Sequence, residues 1–495
     1  MTPVVALAVP EAGLPEMTEP LVIGVALVYF AAVLAIGAWA TARTRGTSDF
    51  YVAGRKVGLA AVSLSAMSAS LSGFAFIGGP GLVYQVGIGA LFIILPVGLT
   101  NAMAAWALGG PLRRMAQENG VLTLPGAIGV RYDSPGARAL AAVAVLVAVV
   151  GYVATNVLAL GIVVDAVFGI GVGTGIWLGT GLTVAYAAGG GILAGVYTDV
   201  FQGALMALAS ALVFYFVLQA GPGLEGLSRS ILAEDPGFLE PWGHLSPLAA
   251  FSFFFVFSVG VLGQPQIIHK FFMLRDPKRL RWFPLVATGA LAVMLLLFFG
   301  VGIAARALVL DGALPEPEHP DQATPLFLLH HTPLLLAALV FSGLAAAIMS
   351  TVNAFMNIGA AALTHDLPRA VGRPLSRELA WGRMGTVVLS LAAAVTAHLS
   401  DTLVAFLGIF GWGLFAATLV PALAVGLNWP GATRAGAVAS IATGLSLTLA
   451  GETAVYLELL TLPGGITLSA STLAISLLVF VAVSRLTHDP RPGHR

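Results

Sequence analysis

Ser63-Leu64-Ser65-Ala66-Met67-Ser68-Ala69-Ser70-Leu71-Ser72-Gly73-Phe74-Ala75-Phe76-Ile77-Gly78-Gly79-Pro80-Gly81 is the stretch that decides the fold. Its apolar residues belong to a membrane span. Its alternating serines, followed by Gly73, Gly78, Gly79 and Pro80, predict a helix that breaks part-way across. Unwound backbone at membrane depth is tolerated only where it is buried in protein or lines a cavity, and there its free carbonyls can hold a cation. Some 190 residues further on, Gly260-Val261-Leu262-Gly263-Gln264-Pro265 interrupts a second apolar span. Gly and Pro are also simply commoner in membrane helices than in soluble ones. Two interruptions at corresponding positions, each followed by four unbroken spans, favour a transporter site at mid-membrane.

The rest of the chain agrees. Of its 495 residues, 58% are hydrophobic and 9% charged, and the mean hydropathy is +0.94. Soluble domains carry about 25% charged residues, so a soluble enzyme, a disordered scaffold and a nucleic-acid binder are excluded. The 23 basic and 23 acidic residues balance, and cysteine is absent, which removes thiolate chemistry and disulfides. Apolar stretches near the ~20 residues of one crossing recur at 21–41, 58–79, 84–108, 137–164, 171–193, 200–220, 247–267, 284–307, 333–363, 383–399, 402–424, 433–451 and 466–484. The expected fold is an all-α polytopic membrane protein of about 13 transmembrane helices, a single transporter domain over 1–495.

Cytoplasmic loops collect Lys and Arg. With the N-terminus outside and the C-terminus cytoplasmic, 21 of the 23 basic residues fall on the inner side, Lys270 among them, and only Arg229 and Arg306 outside. Residues 1–20 hold no Lys or Arg, so the charged start of a signal peptide is absent and the first span is expected to be retained. The long outer segments 221–246 and 308–332 are Pro-rich and acidic.

Chemistry is sparse. Ser350-Thr351 places adjacent hydroxyls in the ninth span with Asn353 close by. Such oxygens suit a hard cation, and equally they serve to bond the helix's own backbone or a neighbouring helix. Asp199, at the inner start of the sixth span, is a functional candidate as an intramembrane acid; with Gln202 three residues on it also reads as a helix cap. Tyr152, in Gly151-Tyr152-Val153-Ala154-Thr155-Asn156, faces either a solute or the core. Phe257 is the one aromatic of the 251–257 run near the break. Gly189-Gly190-Gly191 lacks the Lys-Ser/Thr of a phosphate loop, and no zinc-protease or nucleophile-elbow motif is present. His269 and His365 fall in basic inner segments, where solvated or interfacial roles outweigh metal binding.

With these residues in view, the sequence resembles the sodium:solute symporter family over nearly its whole length, and within it the bacterial sodium/proline symporters. The segments that carry the resemblance are Asp49–Arg55, Ser63–Gly81, Gly189–Met206, Gly260–Phe272 and Ala345–Leu367. The resemblance implies a leading helix (21–41), two inverted five-helix repeats (58–220 and 247–424) and two further helices (433–484). It implies a sodium site on the carbonyls of Ser68, Leu71 and Ala347 and the hydroxyls of Ser350 and Thr351. A possible second cation would involve Asp199, with Asn353 and Ala354 standing where some members have hydroxyls. The proline carriers have an aspartate where this chain has Ser70. Their Tyr is retained at Tyr152, and their Trp and Tyr before the second break are Phe257 and Val261 here. Gln264, Ser72 and Trp412 complete the implied solute surroundings, Trp412 being either an outer gate or lipid-facing.

The expected function is sodium-coupled import of a small organic solute, an amino acid such as proline or a monocarboxylate, across the cell membrane. No cofactor beyond the coupling ion, no catalysis and no nucleic-acid partner are expected; the oligomeric state is open. Proton coupling through Asp199, a channel and a membrane sensor are the alternatives.

Overall fold

The computed structural model describes residues 20–43, 46–53, 57–69, 72–221, 223–400 and 402–488. Ser70 and Leu71, both expected at the site, lie outside them. The described residues form helices and no strand; an isolated bridge pairs Val57 with Leu274. The helices that position the site are α1 (Pro20–Arg43), α2 (Leu59–Ser68), α3 (Gly79–Val86), α4 (Pro135–Phe168), α5 (Val172–Gln219), α6 (Pro247–Val259), α7 (Pro265–Ile268), α8 (Phe283–Leu310) and α9 (Leu334–Ala361), followed by α10 (Glu378–His398), α11 (Val404–Leu419), α12 (Arg434–Tyr456) and α13 (Leu468–Thr487). Among the described residues, eight helices are long and apolar enough to cross a membrane, or nine when a bent pair counts as one span.

Both expected interruptions are present. Between α2 and α3 the chain leaves the α-helix, re-entering through a wider turn at Phe74–Gly78. Gly73 is required there, because a Cβ would stand 2.4 Å from Ala159 Cβ. Between α6 and α7 the chain tightens into a narrower helical turn at Gly260–Gly263 and bends by 40°. Pro265 suits the first turn of α7, where its missing N–H costs nothing.

The expected fifth and sixth spans differ from the reading above. Helical backbone is unbroken over the 48 residues of α5, with apolar stretches at Val172–Ala185 and Thr198–Gln219. No helix begins at Asp199, so it does not act as an N-cap; it sits inside the helix and is fully buried.

Helix α4 is the central post and packs against α5, α9, α10 and α11. Its inward face is rich in alanine (Ala137, Ala141, Ala144, Ala148), and small residues let membrane helices approach closely. At Gly161 and Gly175 the backbones of α4 and α5 meet directly: a Cβ on Gly175 would lie 2.6 Å from the Gly161 carbonyl oxygen. Ser134 caps α4 by accepting from Ala137 N at 3.1 Å, and such a cap contributes about 1 kcal/mol. Helices α12 and α13 pair with each other and lean on α11. Exposed apolar side chains such as Trp106, Phe251, Leu285, Leu391 and Leu478 suit lipid contact.

Candidate cation and solute site

The end of α2 meets the middle of α9. Ser68 Oγ and Ser350 Oγ are 3.1 Å apart. Ser350 Oγ donates to the Ala347 carbonyl at 3.0 Å, and Thr351 Oγ1 donates to the same oxygen at 3.1 Å. Thr351 Oγ1 also stands 3.5 Å from the carbonyls of Ser68 and Ala69, the residues where α2 gives out. The structure therefore brings Ser68, Ala347, Ser350 and Thr351 together, all fully buried. The set is oxygen only and carries no net charge, a chemistry suited to a hard monovalent ion.

The far side of this first break is held by a residue given no role by the sequence reading. Asn156 Oδ1 accepts from Gly73 N at 2.9 Å, and Asn156 Nδ2 donates to the Tyr152 carbonyl at 2.8 Å. An unpaired buried N–H would cost about 1–3 kcal/mol, so Asn156 holds the unwound backbone against α4. A lone amide one turn past Tyr152 in an apolar helix was the available signal.

Tyr152 is buried and shares a hydrogen bond with Ser72. Its ring lies 4.5 Å from that of Phe355. On α11, Gly411 backs Tyr152 while the adjacent Trp412 stacks on Phe257 at 4.9 Å and 24°. Phe74 continues the stack, 6.0 Å from Phe257. Trp412 is 6% exposed and its indole N–H donates to the Val256 carbonyl at 3.3 Å, which removes the lipid-facing alternative. Gln264 closes the second break: its Nε2 donates to the carbonyls of Gly260 at 3.1 Å and Trp412 at 3.0 Å. Val261 is fully buried within that break.

Asp199 also joins this region. Its Oδ2 accepts from Lys270 Nζ at 2.9 Å and from the Ser65 hydroxyl, and Lys270 donates to Ser65 in turn. Lys270 is 1% exposed, so the inner-loop placement read from the charge pattern is corrected. Its location only five residues past Pro265 was the clue. Asn353 is buried on α9, its Oδ1 accepting from Asn357 Nδ2 at 3.0 Å.

Both ends of the bundle are clamped. At one end Asp366 is buried and accepts from Arg138 at 2.8 Å and Thr123 at 2.8 Å. Nearby, His365 Nδ1 lies 2.6 Å from Glu378 Oε1. His269 contacts the Leu122 carbonyl at 2.8 Å, so both inner histidines are buried rather than solvated. In the segments expected outside, Asp321 accepts from Val404 N at 2.9 Å, tying its loop to the start of α11. Burial pushes the Asp321 carboxyl up, against the opposing effects of His319 and Val404 N–H. Asp235 receives Arg306 at 2.8 Å and His244 at 3.1 Å. Partial burial raises Asp235, but these two partners outweigh it and hold the carboxyl below its ordinary value.

Two broken helices facing an unbroken one, with a neutral oxygen cage at one break and an aromatic stack at the other, define a membrane transporter. The sodium:solute symporter family profile matches residues 50–444, and the chain belongs to that family. It is 29% identical over 475 residues to the high-affinity proline transporter PutP of Bacillus subtilis, covering 92% of this chain and 96% of that one. It is 29% identical over 441 residues to the sodium/proline symporter of Escherichia coli, covering 84% and 85%. Among solved structures, a substrate-bound outward-open sodium-coupled sialic acid symporter superposes with TM-score 0.74 at 18% identity, over 94% of this chain and 98% of that one. Mhp1, a nucleobase-cation-symport-1 transporter, gives 0.52 at 14% identity, over 89% and 96%; these two likenesses speak to the fold alone. The chain is a sodium-coupled importer of a small solute, a multi-pass membrane protein, and not an enzyme.

Proposed function

We propose that the solute is a small amino acid of the proline type, moved inward by alternating access between two inverted repeats, 58–220 and 247–424. Sodium sits on the carbonyls of Ser68, Leu71 and Ala347 and the hydroxyls of Ser350 and Thr351. The solute lies among Ser70, Ser72, Tyr152, Phe257, Val261, Gln264 and Trp412. The observation that carries the reading is the convergence of Ser350 and Thr351 on the oxygens at the end of α2. The relatives named for proline support the solute class. The N-terminus lies outside and the C-terminus in the cytoplasm, following the basic-residue bias.

Coupling one sodium to a neutral solute moves one charge inward, which gains about 2.3 kcal/mol per 100 mV. That sustains roughly 40-fold accumulation before any sodium gradient is added, at tenfold per 1.4 kcal/mol. A monocarboxylate is the second reading. It is favoured by the make-up of the residues assigned to the solute, since Ser70, Ser72, Tyr152, Phe257, Val261, Gln264 and Trp412 include no carboxylate to pair an ammonium.

Uptake of labelled proline, other small amino acids, acetate, pyruvate and pantothenate into proteoliposomes tests both. Each solute is offered an inward sodium gradient, an inward proton gradient or neither, at fixed potential. Sodium-driven proline accumulation is expected. Accumulation of acetate or pyruvate alone selects the second reading, and proton-only driving rejects the sodium site.

A further inference from the structure

The pairing of Lys270 with Asp199 stands immediately beside the oxygen cage. The Asp199 carboxylate, with the Ser65 hydroxyl bonded to it, offers hard oxygen ligands around a full negative charge. Left alone at membrane depth, such a carboxylate would have to recruit a cation or take up a proton. Instead the Lys270 ammonium fills the place, 2.9 Å from Oδ2, donating also to Ser65 and buried to 1%. The lysine reaches it because α7 follows the second break: Pro265 restarts the helix, and the turn His269–Met273 carries Lys270 inward. The Val57–Leu274 bridge holds that turn against the chain leading into α2, the helix that carries Ser65 and Ser68.

We propose that Lys270 is a resident cation: its ammonium occupies a second cation position at Asp199, and so restricts the transporter to one sodium per cycle. The two positions are neighbours along α2: Ser65 holds the Asp199–Lys270 pair, and Ser68, one turn on, meets Ser350 of the cage. A mobile ion at Asp199 would therefore sit beside the coupling sodium. The tethered ammonium supplies the same charge without being transported. This inference rests on the cation site proposed above, and its test separates the two.

The experiment is equilibrium binding of radioactive sodium to the purified full-length chain, with sodium alone as the probe. The wild type is expected to bind one sodium per chain. Lys270→Ala exposes the Asp199 carboxylate and is expected to bind two, with the sodium Hill coefficient rising from near one towards two. Because removing one partner of a buried ion pair can unfold a protein, the neutral pair Lys270→Gln/Asp199→Asn is measured alongside. It is expected to keep a single sodium with affinity within about threefold of wild type. Two sodium ions on the wild type would overturn the proposal. So would a folded Lys270→Ala that still binds one, or a folded neutral pair that binds none, which would make Asp199 a ligand of the coupling sodium itself. Ser350→Ala with Thr351→Ala is the separate control. Unchanged sodium binding in that variant rejects the cage, whatever the count at Lys270.

Discussion

The two broken helices look alike in sequence and do different work. At the first break, other helices supply the missing partners: Asn156 from α4 for the Gly73 N–H, and Ser350 and Thr351 from α9 around the end of α2. At the second, the chain largely closes on itself. Gln264 folds back to Gly260, and α11 adds the Trp412 carbonyl, its indole N–H on the Val256 carbonyl and its stacked ring. A Gly/Pro interruption frees backbone groups, but the helix that faces the interruption decides whether the result is a cluster of oxygens or a break closed by its own chain.

That contrast can be broken most directly at the ion side. Thr351→Ala removes a hydroxyl facing the Ser68 carbonyl. At about 1–3 kcal/mol for a lost buried polar partner, sodium affinity is expected to fall roughly 10- to 100-fold, read as the sodium concentration giving half-maximal uptake. Gln264→Ala at the other break should reduce maximal uptake while leaving that sodium concentration unchanged. An equal sodium effect from both would erase the distinction.

The second break sharpens it next. Val261→Tyr and Phe257→Trp, alone and together, should shift the preference between proline and the other solutes. Pocket changes of this size are worth about 1–3 kcal/mol, or 10- to 200-fold, measured as a ratio of uptake rates at constant sodium. Asn156→Ala leaves the Gly73 N–H unpaired and should destabilise the protein by about 1–3 kcal/mol, seen as a lower unfolding midpoint in detergent.

The smallest effect is expected in the segments 221–246 and 308–332. Asp235 is held below its ordinary value, so its contribution is present above the unfolded carboxylate range and is lost as pH falls through its folded value. Asp321 is raised by burial, so its contribution is complete at low pH and is lost as pH rises through its folded value. Acidification should therefore loosen the 221–246 segment before the 308–332 segment. Limited proteolysis with an acid-active protease, from about pH 5 down to below the ordinary aspartate value of about 4, checks the order, and Asp235→Asn should abolish the response of the first segment.

Much of this was legible in the chain itself. The breaks and the Ser350-Thr351 pair are local patterns, written in consecutive residues, so composition and motif were enough to find them. The ion pair was hidden because Lys270 and Asp199 are 71 residues apart and each had a local explanation, a loop charge and a helix cap. Trp412 stayed open for a related reason. Apolar aromatic residues read the same whether they face lipid or a partner ring, and only packing separates the two.

The stacked indole has an optical consequence. Six of the eight tryptophans are exposed and Trp429 is partly so, leaving Trp412 as the buried one among the described residues. Any movement that parts α11 from α6 would let water reach that ring and shift its emission to the red. The transporter thus carries a built-in fluorophore between α6 and α11. Its conformational cycle could be followed by light, without a label, once the exposed tryptophans are replaced by phenylalanine.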